Sequence, residues 1–342
     1  MSQVNLTSSE RVHALQALGY TEREAAFLCL AALHGGYFLR RQYGAYLGRH
    51  DGGTIHQLLE RTLSLGHAQV ATFKANTHIY HLAARPFYAA LGQEDNRNRR
   101  LRQTTTIKAK LMALDFVLAH PAAQYLATEQ EKLHYFQNTL HIPHEVLPTK
   151  KYASRGLVTE RYFVEKYPIF VSRAFETALP PVVSFCFVDP GLASVSAFEK
   201  FLTQYRRLLS ALRSFEVIYV AANSALADHA SNAFARLWSD PAAPITGPTI
   251  HRMLAYFEAR HLYESRQWSS FDRSKLIVLR DGRDAFSGAQ MEALYAQWCS
   301  GGQAAVVENR AVQKPLEPMN RRRFSTFIVS HSYDLFGDLT RF

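Results

Sequence analysis

Metal-dependent cleavage of a phosphodiester needs at least two acidic ligands, and usually a lysine, to hold Mg²⁺ and polarise the attacking water. One set of residues in this 342-residue chain has those side chains: Glu160, Glu165, Lys166 and Asp189. Its spacing falls short. Glu165-Lys166 sits in a Tyr/Phe/Val strand context without Glu-x-Lys spacing, and Asp189 stands before Pro190-Gly191, where an aspartate caps a turn through the backbone N–H two residues on. The expectation is a structural Asp189 and no cofactor, with Mg²⁺ required only if these four residues do assemble as a nuclease.

A second set has the chemistry of recognition. Thr54, His56, Gln57, Glu60, Arg61 and Ser64 alternate with Ile55, Leu58, Leu59, Thr62 and Leu65 at helical spacing. That pattern turns hydrogen-bonding groups outward, as a helix lying in a DNA groove requires. Lys74 and His78 sit at the tip of a following hairpin, placed for a backbone phosphate, and Arg40 and Arg41, polar positions of the preceding helix, help fix the register. Arg97, Arg99, Arg100 and Arg102, with Lys108 and Lys110, form the densest basic cluster and are read as phosphate contacts on a connector.

Other chemistry finds no template. The chain has no Gly-x-x-x-x-Gly-Lys-Ser/Thr loop, no Gly-x-Gly-x-x-Gly, no His-Glu-x-x-His and no Gly-x-Ser-x-Gly. His141-Ile142-Pro143-His144 with His134 lacks zinc spacing, so the histidines read as structural or solvated and no metal is expected. Cys29, Cys186 and Cys299 are widely separated in apolar surroundings and read as buried free thiols. Tyr152, Tyr162, Phe163, Tyr167 and Phe170 interleave with Lys150, Lys151, Arg155, Arg161 and Lys166, the composition of a platform for unpaired bases, although strand faces packed on a core produce the same pattern.

The elements that must position the recognition set follow from local signals. Thr21-Glu22-Arg23-Glu24 is a capping box, and Ala25, Phe27, Leu28, Leu30 and Leu33 supply the apolar stripe of a helix ended by Gly35-Gly36. A shorter helix spans Phe38 to Leu47, a polar turn Gly48 to Gly53, and the candidate reading helix Thr54 to Leu65. Two β-prone runs, His67 to Phe73 and His78 to Leu82, are joined by Lys74-Ala75-Asn76-Thr77. Together they predict a winged helix-turn-helix.

Downstream, the spacing predicts a helix from Asn98 to His120 and a break where Pro143 and Pro148 fall. Alternating strands and helices follow: strands within Arg161–Val171, at Val182–Val188 and at Phe215–Ala221, and helices at Ser196–Leu212, Ala225–Trp238, Thr249–Tyr263 and Gly288–Cys299. Pro241 to Pro248 reads as a loop, and further strands are expected at Lys275–Leu279, Ala304–Val307 and Ser325–Ser330, with Arg321-Arg322-Arg323 just ahead of the last. The expected class is α+β and α/β multidomain, with a winged helix-turn-helix at 1–92, a helical connector at 93–145 and an α/β domain with a mixed or largely parallel sheet at 146–342.

This order of winged helix, connector and strand-helix-strand core resembles the replication-relaxation family of plasmid and mobile-element proteins. The carrying residues are Phe185-Cys186-Phe187-Val188-Asp189-Pro190-Gly191, then Lys200, Tyr205, Arg206 and Arg207, then Val217-Ile218-Tyr219-Val220. The resemblance implies that the second domain is similar to a restriction-endonuclease fold. Family members carry Glu-x-Asp at the end of the first of these strands; here Asp189 keeps one acid and Phe187 replaces the other, which implies a degenerate, non-catalytic site.

Charge points the same way. Lys and Arg exceed Asp and Glu by ten, and residues 1–110 alone hold fourteen bases against seven acids. Such a field favours encounter with a polyanion and salt-sensitive phosphate binding. At 47% hydrophobic and 20% charged residues the composition is that of a globular protein. No apolar run approaches the roughly 20 residues of a membrane span, and Met1-Ser2-Gln3-Val4-Asn5 lacks the pattern of a secretory signal. The expected compartment is the bacterial cytoplasm, in association with the nucleoid, with no membrane partner. The expected function is sequence-specific binding of double-stranded DNA by a transcriptional or replication/transfer regulator, as a possible homodimer, its small-molecule effector unspecified. The alternatives are an Mg²⁺-dependent nuclease or replication-initiation accessory using Asp189 with Glu160 or Glu165, and a protein adaptor in a recombination or transfer complex.

Overall fold

Two threonine capping boxes start the first helices. Thr7 accepts from the Glu10 N–H at 3.3 Å while Glu10 accepts from the Thr7 N–H at 2.6 Å, opening α1 (Ser8–Gln16). Thr21 and Glu24 repeat the exchange at 3.4 and 2.8 Å and open α2 (Glu22–His34). The protein is seen in a computed structural model that describes residues 6–48, 52–72, 78–154, 157–163, 167–172, 181–191, 195–212, 214–238, 247–283, 286, 289–307, 321–331 and 333.

Gly36 ends the turn after α2 at φ +80°, where a Cβ would come within 2.7 Å of the Asn98 carbonyl oxygen. β1 (Tyr37–Leu39) follows, then α3 (Arg40–Leu47) and α4 (Gly53–Ser64). The expected helix from Phe38 therefore loses its first two residues to a strand. β2 (Ala68–Thr72) and β3 (His78–Leu82) complete an antiparallel sheet of order β1-β3-β2, with Tyr37 opposite His81 and Ala68 opposite Leu82. Lys74 to Thr77, the expected hairpin tip, lies outside the described residues.

α5 (Arg85–Ala90) leads to a 3₁₀ turn over Arg97–Arg99, in which the Asn96 side chain accepts from the Asn98 N–H. The connector helix α6 (Thr104–Ala119) thus begins six residues later than expected. β4 (Gln124–Tyr125), α7 (Glu129–His134) and the hairpin of β5 (Thr149–Ser154) and β6 (Leu157–Tyr162) follow. β7 (Ile169–Ser172), β8 (Val182–Asp189), α8 (Val195–Ala211), β9 (Ser214–Ala221) and α9 (Ala227–Trp238) then alternate as expected. α10 (Gly247–Glu264), α11 (Arg273–Arg283), α12 (Ala289–Val307) and β10 (Arg321–Ile328) complete the described elements.

The five-stranded sheet has the order β10-β9-β8-β7-β4. β8, β9 and β10 are parallel, and β7 and β4 are antiparallel additions, so the sheet is mixed. The molecule is a mixed α+β chain of helices and several sheets.

Three expectations fail here. Lys275–Leu279 belongs to α11 and Ala304–Val307 to α12, so neither is a strand. Arg321 to Arg323 lie within β10, paired with Ser214 to Glu216, and do not precede the strand. Residues 241–246 of the expected loop lie outside the described residues, and Gly247 and Pro248 already belong to α10.

Contacts divide the chain into two compact units, Met1–Leu237 with Arg321–Phe342 and Trp238–Asn320. These bounds do not coincide with the segments 1–92, 93–145 and 146–342. The physical reason is α6: Leu114 packs into the cluster of Phe27, Phe38 and Leu58, while Ile107, Leu111 and Phe116 pack with Leu39 and Ile79 on one side and Cys186, Val188 and Val220 on the other. Among the described residues no helix is long and apolar enough to cross a membrane.

Candidate nucleic-acid interface

α4 carries the ridge on one side and its anchors on the other. Ile55, Leu58, Leu59 and Thr62 are buried, whereas Thr54, His56, Gln57, Glu60 and Ser64 are exposed. His56 Nε2 and Glu60 Oε1 lie 3.0 Å apart in an open i,i+4 pair of little energetic weight. Leu65 points outward at 44% exposure, against its expected place in the core, because the helix ends at Ser64.

Two of the expected DNA-contacting arginines are occupied within the protein. Arg61 Nη1 pairs with Glu24 Oε2, the same carboxylate that caps α2, and the Glu24 side chain is 3% exposed. Arg41 holds Asp115 with two parallel bonds of 2.9 Å and donates to Tyr333 Oη at 2.6 Å. Its guanidinium also lies 5.3 Å from the Tyr333 ring centroid. Burial lowers the Arg41 pKa, and the Asp115 and Tyr333 contacts outweigh it, so the group stays protonated. Gln42 completes the knot, donating to Asp115 at 2.7 Å and to the Leu111 carbonyl at 2.8 Å. Arg41 and Arg61 thus tie α3 to α6 and α4 to α2.

Arg40 is exposed at the start of α3, and His78 is exposed at the start of β3 with its Nδ1 3.0 Å from Thr72 Oγ1. Lys74 lies outside the described residues. The basic cluster is turned partly inward. Arg97 stacks on Tyr152 at 4.8 Å, Arg99 donates to the carbonyls of Glu94 and Ala83, and Arg102 donates to the Arg97 carbonyl at 3.1 Å. Lys110 bonds the Gly35 carbonyl and the Asn98 side chain at 2.8 and 2.7 Å. Arg100 remains exposed.

Asp189 and Glu160 are the described members of the acidic set. Asp189 is 2% exposed; its Oδ1 accepts from the Gly191 N–H at 2.8 Å, and its Oδ2 accepts from the Tyr219 hydroxyl. Burial, then the Asp189 bond, holds the Tyr219 hydroxyl well above its ordinary pKa. Glu160 is exposed on β6, and Glu165 and Lys166 lie outside the described residues. Among the described residues no three His, Cys, Asp or Glu side chains gather as a metal-holding group. Of the cysteines, Cys29 and Cys186 are buried and Cys299 is exposed, which corrects the expectation of three buried thiols.

Glu24, Asp115 and Tyr333 decide which arginines stay outward, and sequence reasoning passed over all three in that role. Asp115 left a signal as the one acid in the apolar helix α6. Tyr333 left none, being 292 residues from Arg41. No family model, curated protein or solved structure matches the chain.

Proposed function

We propose that the chain binds double-stranded DNA through a winged helix-turn-helix formed by α2, β1, α3, α4 and the β2–β3 hairpin, with α4 entering the major groove. The observation that carries the reading is the two-sidedness of α4: an apolar face sealed in the core and an opposite face of exposed Thr54, His56 and Gln57. The order helix, strand, helix, helix, hairpin and the antiparallel sheet β1-β3-β2 support it. Arg40, Arg100 and His78 are exposed basic groups assigned to phosphates in this reading, and the charge excess of residues 1–110 supplies the attraction.

A single module of this kind reads a short site, so the proposal includes a homodimer acting as a regulator. The resemblance to the replication-relaxation family belongs to the same proposal, with the five-stranded sheet as its degenerate nuclease-like part. Asp189, engaged through both oxygens, has a structural role in it.

Selection from a random duplex library followed by fluorescence anisotropy tests the reading. A consensus site should emerge, Gln57→Ala should weaken it by about 1–3 kcal/mol with little effect on random DNA, and Arg40→Ala should weaken both while flattening the salt dependence. No enriched site, or full affinity in Gln57→Ala, overturns it.

A further inference from the structure

Outside the carboxyl end of β8, where open parallel sheets leave a crevice, lies a cleft of about 720 Å³ bounded by α6, α8 and the β5–β6 hairpin. Its size suits a small organic ligand. Arg97, Arg102, Lys110 and Lys200 line it, and no Asp or Glu does so among the described residues. Four cations without a carboxylate mark a site for an anion.

Two of those cations are committed to the protein. Lys110 bonds Gly35 and Asn98, and Arg97 lies on Tyr152. The other two have capacity to spare. Arg102 uses one Nη2 bond to the Arg97 carbonyl and is only partly buried. Lys200 is exposed on α8. Thr105 and Thr106 add hydroxyl groups at the start of α6.

Aromatic rings form part of the remaining wall. Tyr167 packs against Phe187 at 5.3 Å and Phe201 at 6.0 Å, and all three line it together with Tyr152. His34 also lines the cleft at 4% exposure; its ring meets Tyr125 edge-on at 5.0 Å and has no hydrogen-bond partner among the described residues. Burial, with Lys132 nearby, keeps this imidazole neutral, so it offers one donor and one acceptor. A buried polar ring without a partner, facing a cavity, is an incomplete hydrogen-bond arrangement that a ligand edge would complete.

An anion clamp, a π surface and an unpaired edge-recognition group together fit one chemical class. We propose that the cleft binds a free mononucleotide, with its phosphate on Arg102 and Lys200, its base against Tyr167, and a base edge on His34. This site is separate from the α4 ridge and does not depend on DNA binding.

Isothermal titration of the full chain with AMP, adenosine and inorganic phosphate tests the assignment. AMP should bind saturably, with adenosine and phosphate each at least about tenfold weaker, because each keeps only half of the contacts. Lys200→Glu should weaken AMP about tenfold or more and Lys200→Arg should retain it; the residue is exposed, so both variants should melt like the parent. Gln57→Ala, which alters only the DNA ridge, should bind AMP unchanged. The assignment is overturned by no saturable heat at about 1 mM AMP, by adenosine binding as tightly as AMP, or by an unaffected Lys200→Glu. It is also overturned if a 5′-phosphorylated trinucleotide binds more tightly than AMP, which would make the cleft a seat for a nucleic-acid end.

Discussion

Arg61 and Lys132 are two buried-charge problems with opposite solutions. Arg61 compensates Glu24, whose side chain is 3% exposed, so Arg61→Ala leaves a carboxylate in the core with only its capping bond. Because Arg61 itself is one-third exposed, the expected loss is about 1–3 kcal/mol in urea unfolding, and Glu24→Gln in the same chain should return part of it. A loss of DNA affinity in Arg61→Ala should accordingly track its loss of stability. Lys132 is 4% exposed, with its Nζ 5.8 Å from the Phe163 ring centroid, and burial pushes its pKa down to about 8 against the pull of Glu131 and Glu129. Its folded pKa lies below the unfolded value, so the penalty is fully present below pH 8 and fades as pH rises toward about 10.4. Lys132→Met should therefore stabilise by about 1–3 kcal/mol at pH 7, and the gain over the parent should shrink across that window. A pH-independent difference would show that Lys132 folds with its ordinary pKa.

At the scale of elements, what the sequence discloses depends on how far apart the deciding residues lie. α2 and α4 were legible because a capping box and a 3.6-residue apolar period lie within one segment. The exposed ridge of Thr54, His56 and Gln57 was legible for the same reason. The internal pairing of Arg61 and Arg41 was not, since Glu24 lies 37 residues and Asp115 74 residues away. α11 was misread from its Leu-Ile-Val-Leu run, a β-prone composition. Its start signal was present, with Asp272 accepting from the Lys275 N–H at 2.9 Å as a helix cap does. In α12, Gly301-Gly302 looks like a terminus, and the chain kinks at Gly302 (φ 69°) before resuming its helix. α6 carries the clearest energetic consequence, because Leu114 belongs to one apolar cluster of the first unit and Ile107, Leu111 and Phe116 to another. Leu111→Ala, at a fully buried position, should cost about 2–5 kcal/mol. Probes placed in α2 and in β9 should still report that loss in one coincident transition. Two separated transitions would mean that the N-terminal elements and the five-stranded sheet do not share a core.

Across the whole molecule, apolar clusters form within each compact unit. The cluster of Trp238–Asn320 is built from Met253, Tyr256, Phe257, Phe286, Leu294, Tyr295 and Val306. The three cysteines report on both units without any substitution. Cys299 is exposed in the second unit, whereas Cys29 and Cys186 are 6% and 1% exposed in the first. Burial pushes the Cys29 thiol up to about 12 and the Cys186 thiol well above its usual range, so neither forms the thiolate that attacks a disulfide reagent. An aromatic disulfide reagent at pH 8 should therefore label one thiol per chain rapidly. The other two should react only through opening of the first unit, at a rate set by the free energy of that opening. With rising urea their labelling should accelerate together and converge on the rate of unfolded chain, and Leu111→Ala should shift that acceleration to lower urea. Rapid modification of all three in the native protein would contradict the packing of β8 against α6, because Cys186 is sealed between them.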